Sequence, residues 1–413
     1  MWRCPYGLWM HDLLADVTVY ESSAFVAAPL AGLTLRQSGA TVVRVDPPGG
    51  GLDYRRMPRD RRTGESLFWT NLNRGKQSVC IDLRQDEGAD LLAALITMAP
   101  QPGNGIFLTN LPRRPALSHA ALSRQRADVI SVEVTGNFDG TSAVDYTVNP
   151  ATGLPLLTGH SSRDNPTNHV LPAWDIACGL HAAQLIVSLL YRRSRTGKGA
   201  DAKIALSDVA FSTIGHLGLL SEAVHNGDRE PTGNYLFGGF GRDFVTADER
   251  RIMVVGLTAR QWTALVEGLS MAAEIATLER QIGTGLGDEQ VRFEHRRRIA
   301  EIVERRIGAL TLAEIEAAFG PGVSWQVYRT AGDLVHSDPR LGAANAMWSR
   351  RHERGADVPV PGSPYNISGL SRAEPPAPPV LGADTESVLI ETLGLSAAQF
   401  GALVDRGVVG VPA

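Results

Sequence analysis

Thr41-Val42-Val43-Arg44-Val45-Asp46-Pro47-Pro48-Gly49-Gly50-Gly51 reads as a strand that runs straight into a proline- and glycine-rich turn. Branched apolar residues suit a pleated strand, and Pro followed by Gly ends it. Upstream, Val17 to Tyr20 is another short apolar run, and Pro29 to Gln37 has the period of a helix. Downstream the alternation continues. Val79 to Leu83, Ile106 to Thr109 and Val129 to Val134 read as strands, with a helical stretch from Ala89 to Met98. Short strands alternating with helices predict an α/β fold with a mainly parallel sheet. Ligands in such sheets sit in loops at the carboxyl ends of strands.

A chain of 413 residues is too long for one ordinary core and suggests more than one domain. The pattern changes after about residue 225. Gly233 to Gly241 is rich in glycine and aromatics, a strand follows at Arg251 to Val255, and helices run from Ala259 to about Phe319. Among these, Val291 to Ile307 is strongly amphipathic. Beyond residue 330 come proline-rich segments and an amphipathic helix, Asp384 to Leu393. The expected organisation is a large domain over 1–225, a smaller α+β domain over 226–330, and a linker over 331–413 that returns to the first.

A net charge of −4 disfavours a nucleic-acid partner, so anionic ligands must be held by local basic clusters. Cys4, Cys80 and Cys178 lack CxxC spacing, which fits a reducing cytoplasm better than a disulfide framework. Met1 to Met10 lacks the basic start and continuous apolar core of a signal peptide. The most apolar stretch, Ile176 to Tyr191, is interrupted by His181, Gln184 and Ser188 and is shorter than the ~20 residues that span a bilayer. It reads as a buried core helix, with no membrane partner. His119, His160, His216 and His295 show no metal-ligand spacing.

Three stretches stand out as candidates for chemistry. Asp175 opens the Ile176–Tyr191 helix, which closes on Arg192, Arg193 and Arg195 before Gly197. A carboxylate there is either an N-cap, worth about 1 kcal/mol, or a nucleophile. An ordinary Asp is ionised at neutral pH and attacks a thioester without a base. The loop Gly233 to Gly241, with Gly238, Gly239 and Gly241 near its end, is either an interdomain linker or a mobile lid. Arg55, Arg56, Arg59, Arg61 and Arg62, after Gly49 to Gly51, form either a solvated loop or a phosphate cluster. No GxGxxG, GxxxxGK[ST] or GxSxG motif is present to support a dinucleotide, P-loop or serine-hydrolase reading.

These features follow an order found in one family. Ala27-Ala28-Pro29, Gly39 to Gly50, Asn73-Arg74-Gly75-Lys76-Gln77-Ser78, Asp82-Leu83, Thr109-Asn110, the Asp175 helix and Pro361-Gly362-Ser363-Pro364 resemble the family III CoA-transferases. The likeness spans Val17 to about Val409. It implies a Rossmann-like large domain, an interlocked homodimer, and Asp175 as the covalent nucleophile. It also implies CoA lying near Phe25, Val26, Arg44, Lys76, Ile81 and Asn110, as part of the substrate and not as a permanently bound cofactor.

Two departures narrow the expectation. The racemase branch carries a His–Asp pair where this chain has Val144-Asp145, and its Glu falls at about Ala259. Proton abstraction next to a thioester needs those bases. The formyl-CoA branch places a Gln near Val26. Ser22 to Leu30, Gly49 to Tyr54, Val144 to Pro150, Asn168 to Asp175 and Gly233 to Phe244 are instead similar to a branch that moves CoA between the two carboxyl groups of one mesaconate skeleton. On that resemblance Asp145, Tyr146 and Asn149 belong to the substrate site, and backbone N–H groups of the glycine loop or the Asp175 helix stabilise the oxyanions. An intermolecular CoA-transferase and a silent acyl-CoA-binding protein are the alternatives.

Overall fold

In the computed structural model, which describes residues 11–98, 101–159, 162–370, 372 and 374–412, six parallel strands form the main sheet. They are β1 (Thr18–Ser22), β2 (Thr41–Asp46), β3 (Gln77–Ile81), β4 (Ile106–Thr109), β5 (Ile130–Thr135) and β6 (Ala200–Ala205). Met1–Met10, with Cys4, and His160 lie outside the described residues. The order is β3-β2-β1-β4-β5-β6, and the short strand Val409–Gly410 adds antiparallel to β3. One register row crosses the parallel strands: Gln77, Val43, Tyr20, Phe107, Ser131 and Asp201. This is the doubly wound Rossmann order, whose direction of crossover reverses between β1 and β4.

Strands β1 to β5 are largely buried on both sides because helices cover both faces. On one face Val45, Val79, Ile81 and Phe107 pack with Leu92, Leu95 and Ile96 of the Asp86–Met98 helix. Leu389, Phe400 and Leu403, from helices Thr385–Leu393 and Ala397–Asp405, close that core. Full burial of such side chains stabilises by about 1.5–3 kcal/mol each. On the other face the Ala27–Gln37 helix packs against the Ala173–Thr196 helix. Their close approach depends on Gly179, where a Cβ would stand 2.6 Å from the Ala27 carbonyl oxygen.

The chain divides into two compact units. The first takes 11–152, 170–219 and 339–412 of the described residues, the second 153–159, 162–169 and 220–338. The second therefore includes a segment before Asp175 that lies inside the expected 1–225 domain. Its sheet is antiparallel: β7 (Phe240–Val245), β8 (Arg251–Gly256) and β9 (Ser324–Val327). Phe240, Phe244, Val254, Trp262, Leu265, Ile299 and Val303 form its core. The expected Val291–Ile307 helix is broken at His295 into Glu289–Glu294 and Arg296–Ile307. In the first unit, β10 (Trp348–Glu353) and β11 (Ala356–Pro361) make a hairpin within the region read as proline-rich. Its turn, Arg354-Gly355, is left-handed at both residues, as two-residue hairpins require.

The Ala173–Thr196 helix is not fully buried, contrary to its reading as a core helix. Cys178, Ala182, Ala183 and Ile186 pack inward, whereas Leu180, Val187 and Tyr191 face out, Tyr191 with 65% of its surface exposed. By length and composition alone it is apolar enough to cross a membrane, a test that core helices also pass.

Candidate active site

A cavity of about 440 Å³ opens where β1 to β4 end, at the switch point of the sheet. Asn110, just past β4, ties off the end of β1: its Oδ1 accepts from the Ala24 N–H at 2.8 Å, and its Nδ2 donates to the Ala24 carbonyl at 2.8 Å. Ile81 lines the floor. Arginines reach the wall, but they are Arg84, Arg113 and Arg114, which the sequence reading did not single out. Each is held by a carboxylate: Asp82 for Arg84, Glu133 and Asp201 for Arg113, Asp86 for Arg114.

Phe25, the next residue, has a left-handed backbone (φ 67°), which is uncommon for a side chain of this size. Such strain persists only where surrounding contacts hold it. Its N–H donates to Asp53 Oδ2 at 3.0 Å, and Arg44 Nη2 lies 3.2 Å from Asp53 Oδ1. Phe25 keeps 37% of its surface exposed, and the Arg56 guanidinium lies 5.1 Å from its ring centre. Val26, buried, is the N-cap of the following helix.

Arg44 and Lys76 were expected to touch CoA; they are buried, 0% and 4% exposed. Arg44 donates to Glu21, Ser23, Asp46 and Asp53. Lys76 Nζ donates to both Glu21 oxygens at 3.0 and 2.9 Å, to the Pro29 carbonyl and to Asn73 Oδ1. With every donor engaged inward, a direct hold on phosphate would need these pairs to open. As placed, they anchor the strand ends beneath the cavity. Burial pushes Lys76 down to about 8, against the opposing pull of Glu21. Burial works against the Arg44 charge, yet Asp46, Asp53 and Glu21 outweigh it and raise its pKa. Gly32 makes room for the cluster, since a Cβ there would collide with the Glu21 carboxylate.

Asp175 is the third residue of the Ala173–Thr196 helix. It is not the N-cap: that position is Pro172, and the cap comes from another helix, Asp145–Ala151. Asp145 Oδ2 accepts the N–H of Trp174 at 2.7 Å and of Asp175 at 3.1 Å. Asn149 Oδ1 accepts from Trp174 Nε1 at 3.0 Å. Both residues were expected to touch substrate, but Asp145 and Asn149 are buried, 1% and 0% exposed. They hold the helix start instead. Tyr146, partly exposed, donates its hydroxyl to the Val170 carbonyl at 2.9 Å.

The helix N–H groups behind Asp175 are also committed. Ala173 donates to the Leu171 carbonyl and Ile176 to that of Pro172, so with Asp145 holding the middle two, none is left for an oxyanion. That part of the expectation is corrected. The Asp175 carboxylate accepts no hydrogen bond among the described residues. Burial first and the Asp145 charge second raise its pKa to about 6, with Arg56 opposing both. It is therefore mostly ionised at neutral pH and poorly solvated. Arg56 is the member of the Arg55–Arg62 run whose charge reaches this group.

In the second unit, the glycine stretch forms a tethered loop that ends where β7 begins at Phe240. Gly233 and Gly239 are left-handed. The Leu236 N–H donates to the Gly241 carbonyl at 3.0 Å, and Arg229 both donates to the Phe237 carbonyl and stacks 4.0 Å from its ring centre. Gly241 lies inside β7 with no space for a side chain, while a Cβ on Gly238 would meet open space.

Residues 14–385 match the sequence profile of CoA-transferase family III. The chain belongs to that family. It is an enzyme of the CoA-transferase class, with the mixed α/β architecture of its structural relatives. It is 44% identical to 2-methylfumaryl-CoA isomerase of Chloroflexus aurantiacus, across 98% of this chain and 99% of that one. It is 25% identical to succinyl-CoA–D-citramalate CoA-transferase of the same organism, over 96% and 98% of the two chains. A CaiB/BaiF family protein from Brucella suis superposes with a TM-score of 0.72 at 23% identity, covering 92% of this chain and all of that one. Val144 is the N-cap of the Asp145 helix and Ala259 the first residue of the Ala259–Gly268 helix; neither carries a base.

Proposed function

We propose that this CoA-transferase moves CoA between the two carboxyl groups of one dicarboxylic skeleton, converting the C1 thioester of mesaconate to the C4 thioester. The observation that carries the reading is the Asp175 carboxylate: half-buried and without a hydrogen-bond partner among the described residues. Identity of 44% to 2-methylfumaryl-CoA isomerase over nearly the whole length supports the substrate.

The Asp175 carboxylate attacks the C1 carbonyl, the C–S bond breaks, and CoA thiolate leaves an acyl-aspartyl anhydride. The thiolate attacks the aspartyl carbonyl and releases mesaconate, giving an aspartyl-CoA thioester. The retained C4 carboxylate then attacks that thioester, and the expelled thiolate takes the C4 acyl group and frees Asp175. No net proton or electron is exchanged. Retention keeps the return step effectively intramolecular. CoA enters as substrate, and no permanent cofactor is required. The cavity at the ends of β1 to β4 is the proposed seat of its nucleotide end. A homodimer in a reducing cytoplasm is part of the same proposal, supported by the outward-facing Leu180, Val187, Tyr191, Phe211 and Leu217 of the first unit.

The test is chromatography of products from C1-labelled mesaconyl-CoA without added carboxylate. Formation of the C4 ester is the expected result, with little exchange of label in a parallel incubation that contains free mesaconate. Transfer only after an acceptor is supplied would move the chain to intermolecular chemistry.

A further inference from the structure

The second unit holds a cavity of about 550 Å³ that no step above uses. From its geometry we infer that Arg242, Arg296 and Arg297, beneath the Gly233–Tyr235 turn, form a binding site for a small dianion. The charges of Arg296 and Arg297 are uncompensated. No carboxylate lies within ion-pair distance of Arg296 or Arg297 among the described residues, and Arg242 has only Glu304 at 3.9 Å. The acid in the lining, Asp243, is taken by Arg251 and by Asn234 Nδ2 at 3.1 Å.

Arg296 is the most telling of the three. Its Nη1 donates to the Phe293 carbonyl at 2.8 Å, while its Nε is buried with no hydrogen-bond partner. A buried, unmet guanidinium N–H is costly unless an acceptor arrives. Burial lowers its pKa, and the like charges of Arg297 and Arg229 act in the same direction, so the pocket already carries excess positive charge. The guanidinium groups of Arg242 and Arg296 lie 5.5 and 5.7 Å from the Tyr235 ring centre. Arg242 is held in place, its Nε donating to the Asp243 carbonyl at 3.0 Å and its Nη1 to the Tyr235 hydroxyl at 3.5 Å, whereas the Arg296 Nε is left for a carboxylate or phosphate oxygen.

Three arginines favour a dianion over a monoanion, and the single ring in the lining, already stacked, offers little to a nucleobase. The shared chemistry is that of a free dicarboxylate or a phosphate group. Because Gly233, Asn234 and Tyr235 line the cavity and lead into the glycine loop, an occupant would also steady that loop.

Calorimetric titration of the full chain at low ionic strength with mesaconate, inorganic phosphate and acetate tests the site. One mesaconate or phosphate per chain is expected, with acetate weaker by about tenfold, equivalent to 1.4 kcal/mol. Mesaconate binding without phosphate binding identifies a dicarboxylate site, and the converse a phosphate site. Arg296→Gln should weaken binding by about tenfold or more, and so should Arg297→Gln, an exposed position where folding is not at risk. Failure of both anions to bind more tightly than about 1 mM, or equal binding by Arg297→Gln and a folded Arg296→Gln, would overturn the inference. Isomerase assays on wild type report separately on the proposed reaction.

Discussion

The Asp145 carboxylate bonds the backbone N–H of Asp175 at 3.1 Å, and its charge raises the pKa of the Asp175 side chain. One acid thus orients the helix that carries a second acid and makes that second acid more basic. Asp145→Asn keeps an oxygen for the N–H groups and removes the charge. The expected outcome is a lower kcat, with the acidic limb of the pH profile moved to lower pH. Asp145→Ala should also lose about 1 kcal/mol of stability with the cap. An unmoved acidic limb in Asp145→Asn would show that the charge does not act on the nucleophile.

Asp175 must be ionised to attack, and its pKa is raised to about 6. The rate constant kcat/KM should therefore be flat above that value and fall about tenfold per pH unit below it. Asp175→Ala should leave less than about a hundredth of the rate, a loss of ~2.7 kcal/mol. Rates across buffers of constant ionic strength check both.

The same carboxylate costs stability. Its folded value lies above the ordinary 3.8. Between the two, the unfolded chain has released a proton that the fold retains, so stability falls as pH rises through this window and stays low above it. Asp175→Asn removes that cost. It should stabilise the protein at pH 7 by about 1–2 kcal/mol, allowing for partial exposure, and the gain should vanish towards pH 4. Thermal unfolding at the two pH values decides it.

Arg44 and Lys76 should behave as structural residues. Arg44→Met or Lys76→Met leaves a buried charge uncompensated, costing about 3–5 kcal/mol. Denaturant unfolding should show the loss. A raised KM for the CoA ester with unchanged stability would instead restore their direct contact with the ligand.

Phe25→Gly relieves a left-handed backbone but forfeits the Arg56 contact, worth about 0.5–1 kcal/mol. Stability should change by no more than about 1 kcal/mol, and the proposed contact of the exposed ring with CoA predicts a rise in KM. A large destabilisation would mean that Phe25 is a packing residue.

Much of the fold was legible in local pattern. Thr41–Asp46 and Ile106–Thr109 are strands because their β-branched and apolar runs have few alternatives. Membership of residues 153–159 and 162–169 in the second unit was not legible, since it depends on pairings such as Thr158 with Gly233, distant in sequence. The site divides in the same way. Asp175 is marked by its place in a motif. Asp145, Asn149, Arg44 and Lys76 carry the right chemistry for a ligand, yet sequence does not say which way a side chain faces. Here their partners are Trp174, Glu21 and Asp53.

Ser78 donates its backbone N–H to Asp384 at 2.8 Å, a partner 306 residues away, and Ile81 pairs with Val409. Residues 220–338 of the second unit lie between. At synthesis rates of about 5–20 residues per second, β3 emerges from the ribosome roughly 15–60 s before its neighbour does. The second unit has time to fold first, while the growing large unit displays an apolar strand with unmatched backbone groups. That interval is a window for aggregation during translation, and slower elongation would lengthen it.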